Sequence, residues 1–491
     1  MRRHLWIAIA AVLGLPAFAA ANVLTYHNSN LRHGAYIVRD LTLAAAANMH
    51  RDTHFNASVT GKIYAQPLFW RPKEATAGLI IVATESNSVY ALEATSGATV
   101  WQRQLAPSVP LSELPCGNID PMGITGTPVI DPETGTLYLN AMTDGTGGPR
   151  HMVYALSLDD GSVLPGWPVD VQAALTAQGA IFASNVQGER SALLFFSHNL
   201  YVNYGGNAGD CGAYRGTVVQ IDPVAIAVTA NWQTRARGGG IWAQGGIAGD
   251  GQALFVTTGN TFGATQWSDG EAIIRLRPGL AHSNLSRDYF APSNWKTLDG
   301  SDRDLGGTEA LPLDIAASGA PSAHRVIAFG KDGSAYLANR AALGGIGGAL
   351  AVLPVSTGAI RTAPAVYETG TATMVAFSSL AGGACSSKNI TMLNVVADGP
   401  TPMSVAWCAP FDGAGAPIIT TTDGVANPIV WVVGAEGDRR LHGFNALNGQ
   451  TVFSGEGTDM TSLHHFVTIL ATPWRFYVAA DNNVYAFAFA H

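Results

Sequence analysis

One unit of sequence returns along almost the whole chain, and it limits what the chain can fold into. The clearest copy runs Ala65-Gln66-Pro67-Leu68, Leu79-Ile80-Ile81-Val82-Ala83-Thr84, Ser88-Val89-Tyr90-Ala91-Leu92-Glu93-Ala94, Ser96-Gly97 and Trp101. Alternating Val, Ile, Tyr and Leu, closed off by Gly, Asp and Asn, predicts four short strands joined by tight turns. The pattern recurs at Thr127-Pro128-Val129-Ile130 and again at Leu193-Leu194-Phe195, which closes on Trp232. Further copies begin near Trp242, Pro312, Pro364 and Pro417, and the last holds Phe476-Tyr477-Val478 and Val484-Tyr485-Ala486, making eight units. No long stretch of helical period competes with them. Repeats of this kind bury their faces only against one another. The expected fold is therefore all-β, an eight-bladed β-propeller of four-stranded blades, an arrangement that leaves few exposed strand edges. The last unit stops at His491 directly after its third strand. A strand from residues 23–59 is expected to complete it, so residues 22–491 read as one propeller domain.

Residues 1–21 carry Arg2 and Arg3, an apolar run from Leu5 to Leu15, and a small-residue end from Pro16 to Ala21. This is the grammar of a cleaved secretory signal, too short for a bilayer span. With no Cys beside the cleavage site, a lipid anchor is not expected, and the protein should be periplasmic or secreted without a membrane span. The chain has 27 Lys and Arg against 35 Asp and Glu; losing Arg2 and Arg3 leaves 25 against 35, a net charge of −10. That balance disfavours nucleic acid as a partner. The 4 cysteines of an exported chain predict disulfides. Cys385 and Cys408 flank one strand pair and are expected to bridge locally, which leaves Cys116 for Cys211.

The recurring V-Y-A-L-[DE]-A-x-[ST]-G-x-x-x-W pattern resembles the repeat of quinoprotein dehydrogenases, which use pyrroloquinoline quinone (PQQ), and of outer-membrane assembly propellers. In both, the repeat is structural, and Trp101 and Trp232 are expected in the core. More specific is Gly238-Gly239-Gly240-Ile241-Trp242 followed by Thr257-Thr258-Gly259-Asn260. It is similar to the quinoprotein segment in which a Trp stacks under PQQ and an Asn ligates the metal. A flat aromatic face suits a planar quinone, and glycines allow close backbone approach. Gly205 to Val218 resembles the segment that supplies a Glu ligand. Here Cys211 stands at the Glu position, so the resemblance leaves Asp210 as the candidate ligand. Asp299-Gly300-Ser301-Asp302-Arg303-Asp304 resembles the stretch holding the catalytic Asp. Two registers remain open: Asp302 as base with Asp304 as metal ligand, or Asp304 as base. Lys331, in Lys331-Asp332-Gly333-Ser334-Ala335-Tyr336, matches the cation that hydrogen-bonds the quinone oxygens, where it would stabilise charge on reduction.

The resemblance implies a PQQ-dependent dehydrogenase that oxidises an alcohol or sugar-like hydroxyl. Its site would hold Ca²⁺ or a lanthanide ion, as suits oxygen ligands. Lacking a C-x-x-C-H haem signature, the chain would pass electrons to a separate acceptor. The alternative is a non-catalytic propeller that serves as a protein- or polymer-binding scaffold. The sequence has no G-x-S-x-G elbow or H-E-x-x-H helix, and His464-His465 reads as core or a loop cap.

Overall fold

The computed structural model describes residues 22–489, apart from 74, 76, 318, 319, 369, 371, 372, 383 and 456–458. The expected signal segment lies outside the described residues. Eight sheets form among them, one for each predicted unit. Blade one shows the pattern: Leu68–Trp70, Leu79–Ala83, Ser88–Glu93 and Thr99–Gln104 pair antiparallel in chain order. Blade eight holds Ile469–Ala471, Arg475–Ala480 and Asn483–Ala488 and takes its fourth strand, His50–Arg51, from the N-terminal region. His50 pairs with Ala488 and Arg51 with Phe487, so the ring closes as the unfinished last unit required. No helix among the described residues is long and apolar enough to cross a membrane.

The repeat's Trp and its Gly turn pack on each other across neighbouring blades. Trp101 ends blade one, and its Nε1 donates to the carbonyl of Leu158 in blade two at 2.9 Å. Its ring lies against Gly161, where an added Cβ would sit 2.5 Å from Cε3. Trp407 repeats the contact from blade six to seven: Nε1 donates to Ala446 O at 2.8 Å over Gly449. Both glycines have positive φ, +69° and +72°, which a side chain would also resist. Trp101 and Trp232 are buried, as expected. Both expected disulfides form: Cys385 bonds Cys408, and Cys116 bonds Cys211.

A feature with no repeat signature is the course of residues 23–37, which visit the inner strand of every blade. Val23 pairs with Phe69 of blade one, and Leu24 O accepts from Ile130 N of blade two. Arg32 donates to Leu193 O and Ile247 O, reaching blades three and four. His33 contacts Pro312 O and Val366 N of blades five and six. Ala35–Ile37 adds in parallel to Ile418–Thr421 of blade seven, and His27 meets Thr468 beside blade eight. The segment thus plugs one end of the ring. Arg32 is fully buried in it, an expensive placement made tolerable by four acceptors, including Thr25 Oγ1 and Tyr26 O.

Candidate functional site

The inner strands run from the open end of the ring toward this plug. In blades three, four and six, the residue that touches the plug follows Arg190, Trp242 and Arg361 by three to five positions. Those three side chains come together on the wall of one cavity. The turns after the second strands return to the same wall. They bring Gly206–Asp210 after Asn199–Gly206, Asn260 after Leu254–Thr258, and Lys331 after Ala320–Phe329. Together they line a cavity of about 290 Å³. Every residue the motifs singled out, Asp210, Trp242, Asn260, Asp302, Asp304 and Lys331, is on its wall.

Trp242 is half-buried after its glycine run, and its Nε1 donates to Asp304 Oδ2 at 3.0 Å. Gly240 leaves room there, because a Cβ added to it would sit 3.3 Å from Gly205 Cα. The Lys331 ammonium lies 5.0 Å from the Trp242 ring centroid. It also bridges Asp304 Oδ2 at 2.7 Å and Asp302 Oδ1 at 2.9 Å. Asp304 Oδ1 accepts from Asn260 N at 3.1 Å. The two aspartates differ in setting: Asp302 caps the helix Trp295–Ser301 in the left-handed region with its side chain 70 % exposed, whereas Asp304 is buried. Burial raises the Asp304 carboxyl above its ordinary range, against the opposing pull of Lys331. Lys331 loses some basicity to burial, but Asp304 and Asp302 more than restore it, so it stays charged.

Two further acids stand behind Asp304. Glu271 Oε2 accepts from Leu305 N at 2.6 Å, and Asp299 accepts from Thr261 N and Oγ1 at 2.8 and 2.7 Å. Burial, then the charge of Asp304, pushes Glu271 up to about 9, and burial raises Asp299 as well. Glu271 therefore keeps its proton at neutral pH. On the facing wall Asp210 adopts φ 52° and accepts from Tyr214 Oη at 2.6 Å, beside the Cys116–Cys211 bridge. That bond occupies one Asp210 oxygen, and no group of three His, Cys, Asp or Glu side chains able to hold a metal forms among the described residues.

Sequence reasoning did not single out Glu271 and Asp299, nor the wall residues Arg190 and Arg361. Arg190 is followed by an ordinary strand start and carries no motif; only the ring brings it to Trp242. His465 read as core or a loop cap. It lines the cavity, with Nδ1 2.7 Å from Glu436 Oε1, while its neighbour His464 pairs with Asp481 at 2.6 Å.

No protein-family model matches the sequence, and no curated protein matches it. Solved structures do. A quinohemoprotein alcohol dehydrogenase from Comamonas testosteroni superposes with a TM-score of 0.67 at 14 % identity, over 95 % of this chain and 80 % of its own. The chain has the quinoprotein dehydrogenase fold. A europium-containing methanol dehydrogenase gives 0.63 at 12 %, over 94 % of this chain and 89 % of that one. BamB from Moraxella catarrhalis fits less closely, at 0.50 and 15 %, over 90 % of this chain and 100 % of that one. At such identities the likeness concerns the quinoprotein fold, and function has to be argued from the site.

Proposed function

We propose that this chain is an exported quinoprotein that oxidises an alcohol or sugar-like hydroxyl with bound PQQ. The observation that carries the reading is the convergence of Trp242, Lys331 and a buried, raised Asp304 on one cavity. PQQ is a planar quinone bearing carboxylates, and the wall suits it: an aromatic face, the Lys331 and Arg190 cations, and buried polar atoms without partners, Arg190 Nε and Asn207 Oδ1. The metal fits less well. Lys331 already sits on Asp304, one of the expected ligands, and both Asp304 oxygens accept hydrogen bonds. No step is therefore derived through Ca²⁺ or a lanthanide.

When bound, PQQ supplies a two-electron acceptor for hydride. Trp242 offers the platform, and Lys331 puts positive charge over it. Asp304 fits the role of base better than Asp302. A carboxylate offers about four acceptor sites. Asp304 Oδ2 serves Trp242 and Lys331, while Oδ1 accepts only the Asn260 amide and keeps a lone pair for a substrate hydroxyl. A raised pKa brings a base closer to working pH. Asp302 holds the other side of Lys331. Adding PQQ with Ca²⁺, with La³⁺ and with neither, then following quinone absorbance and dye reduction on an alcohol panel, tests the reading. Absence of binding in all three arms overturns it and leaves the scaffold alternative.

A further inference from the structure

Beside the quinone cavity lies a second chamber, of about 350 Å³, between blades six and seven and the loop that leads into blade eight. Its walls include Arg361, Thr362, Ser378, Ser379, His465 and Phe466, and it shares Arg361, His465 and Phe466 with the cavity that holds Asp304. The charges around it are unevenly satisfied. Lys331 is paired with Asp302 and Asp304, and Glu436 Oε1 lies 2.7 Å from His465 Nδ1. Arg361, by contrast, is exposed and makes no hydrogen bond or ion pair among the described residues. Next to it, the Thr362 hydroxyl is buried and likewise finds no partner. Ser378 and Ser379 donate to Gly415 O and Ala381 O, which leaves their oxygens facing the chamber as acceptors only.

We infer that this chamber is the substrate subsite of the proposed dehydrogenase, and that Arg361 with Thr362 selects hydroxylated carboxylates over neutral alcohols. The inference rests on the dehydrogenase reading for its chemistry. A guanidinium fork matches a carboxylate bidentately. An orphaned hydroxyl beside it gives the carboxylate a further donor, and the serine oxygens accept from substrate hydroxyls. Arg361 is also on the wall of the cavity that holds Asp304, so a 2-hydroxy acid with its carboxylate at Arg361 presents the adjacent hydroxyl to that cavity. The reaction is then the oxidation of a 2-hydroxy acid to a 2-keto acid. The hydroxyl proton would go to the carboxylate base and the hydride of the C–H bond to the quinone, and the base's proton would then complete the resulting anion to the quinol.

Lactate and propylene glycol differ only in carboxylate against hydroxymethyl, so they isolate the acid group. Saturation-transfer NMR on the purified protein reads their binding without turnover, and dye reduction with PQQ reads kcat/KM. The wild type is expected to prefer lactate by about 10-fold or more. Arg361→Gln erases the preference through KM, and Arg361→Lys keeps part of it because it retains charge without the fork. Equal use of both compounds by a protein that binds PQQ overturns the subsite. So does an Arg361→Gln variant whose only defect is weakened PQQ binding, since Arg361 would then belong to the cofactor. Lactate binding that depends on Arg361 in a protein that fails to bind PQQ supports the anion subsite and overturns the dehydrogenase; if neither compound binds, both fall.

Discussion

At the scale of single residues, the site sorts its carboxylates by burial. Asp304 and Asp302 are two positions apart and share one ammonium, yet only Asp304 is buried against Trp242 and Asn260. Asp304→Asn is therefore expected to lower turnover by about 10²- to 10⁴-fold, while Asp302→Asn, which leaves Lys331 one partner, costs far less. Steady-state dye reduction of the two variants separates the roles; equal losses would contradict the assignment of Asp304 as base. Trp242→Ala removes both the platform and the Nε1 donor to Asp304. It should weaken PQQ binding by about 10-fold or more, as expected where stacking adds about 0.5–1.5 kcal/mol to area burial. Trp242→Phe keeps most of the affinity but not the Asp304 hydrogen bond, so titration by quinone absorbance and turnover should diverge in that variant. The motifs named these residues because local turns carry them. Asp299 opened the quoted motif without being given a role, and Glu271 escaped notice because nothing in its neighbourhood marks a carboxylate that only the folded ring will bury.

At the scale of elements, the contact between the last strand of one blade and a turn of the next makes Gly161 structural. Gly161→Ala drives a Cβ into the Trp101 ring, whereas the same change at Gly135, also with positive φ, meets nothing within 4 Å. Gly135→Ala should cost about 1–2 kcal/mol, the strain of left-handed backbone, and Gly161→Ala a further 1–3 kcal/mol or so from overpacking. Denaturant midpoints of the two variants test this, and equal losses would show that the Trp contact adds nothing. The plug makes a second prediction. Arg32→Met leaves Leu193 O and Ile247 O without their buried donor. Unpartnered buried groups cost about 1–3 kcal/mol each, so the variant should unfold at lower denaturant and lose hydrogen-exchange protection in residues 23–37 first.

For the whole molecule, the channel between plug and cavity is a store of buried acids. Burial pushes Glu85 and Glu309 up to about 7, and both oxygens of Glu309 lack partners. With Glu271 at about 9, the folded state keeps protons that the unfolded chain would release above its ordinary carboxylate pKa of 4.5. The folded pKa values are raised, so this contribution is fully present below 4.5 and is lost as pH rises through 7 and on toward 9. Denaturant stability should therefore fall between pH 5 and pH 9, and Glu309→Gln should flatten the slope from about 5 to 7. A profile unchanged in that variant would mean that Glu309 is ionised in the fold.

The sequence by itself determined the blade count, the four-strand pattern, ring closure by an N-terminal strand and both disulfide pairings. Strand period, turn residues and the Trp-to-Gly spacing are local properties, and His50–Arg51 supplies the fourth strand of the last blade. It also named six residues of one cavity wall, since each lies in a short motif at a fixed place in its blade. The tertiary structure alone decided the rest. It brought Arg190, Arg361 and His465 from three separate blades to the same mouth, buried Asp304 while leaving Asp302 exposed, and wound residues 23–37 through all eight blades. Those outcomes depend on contacts hundreds of residues apart, and no period or turn signal along the chain encodes them.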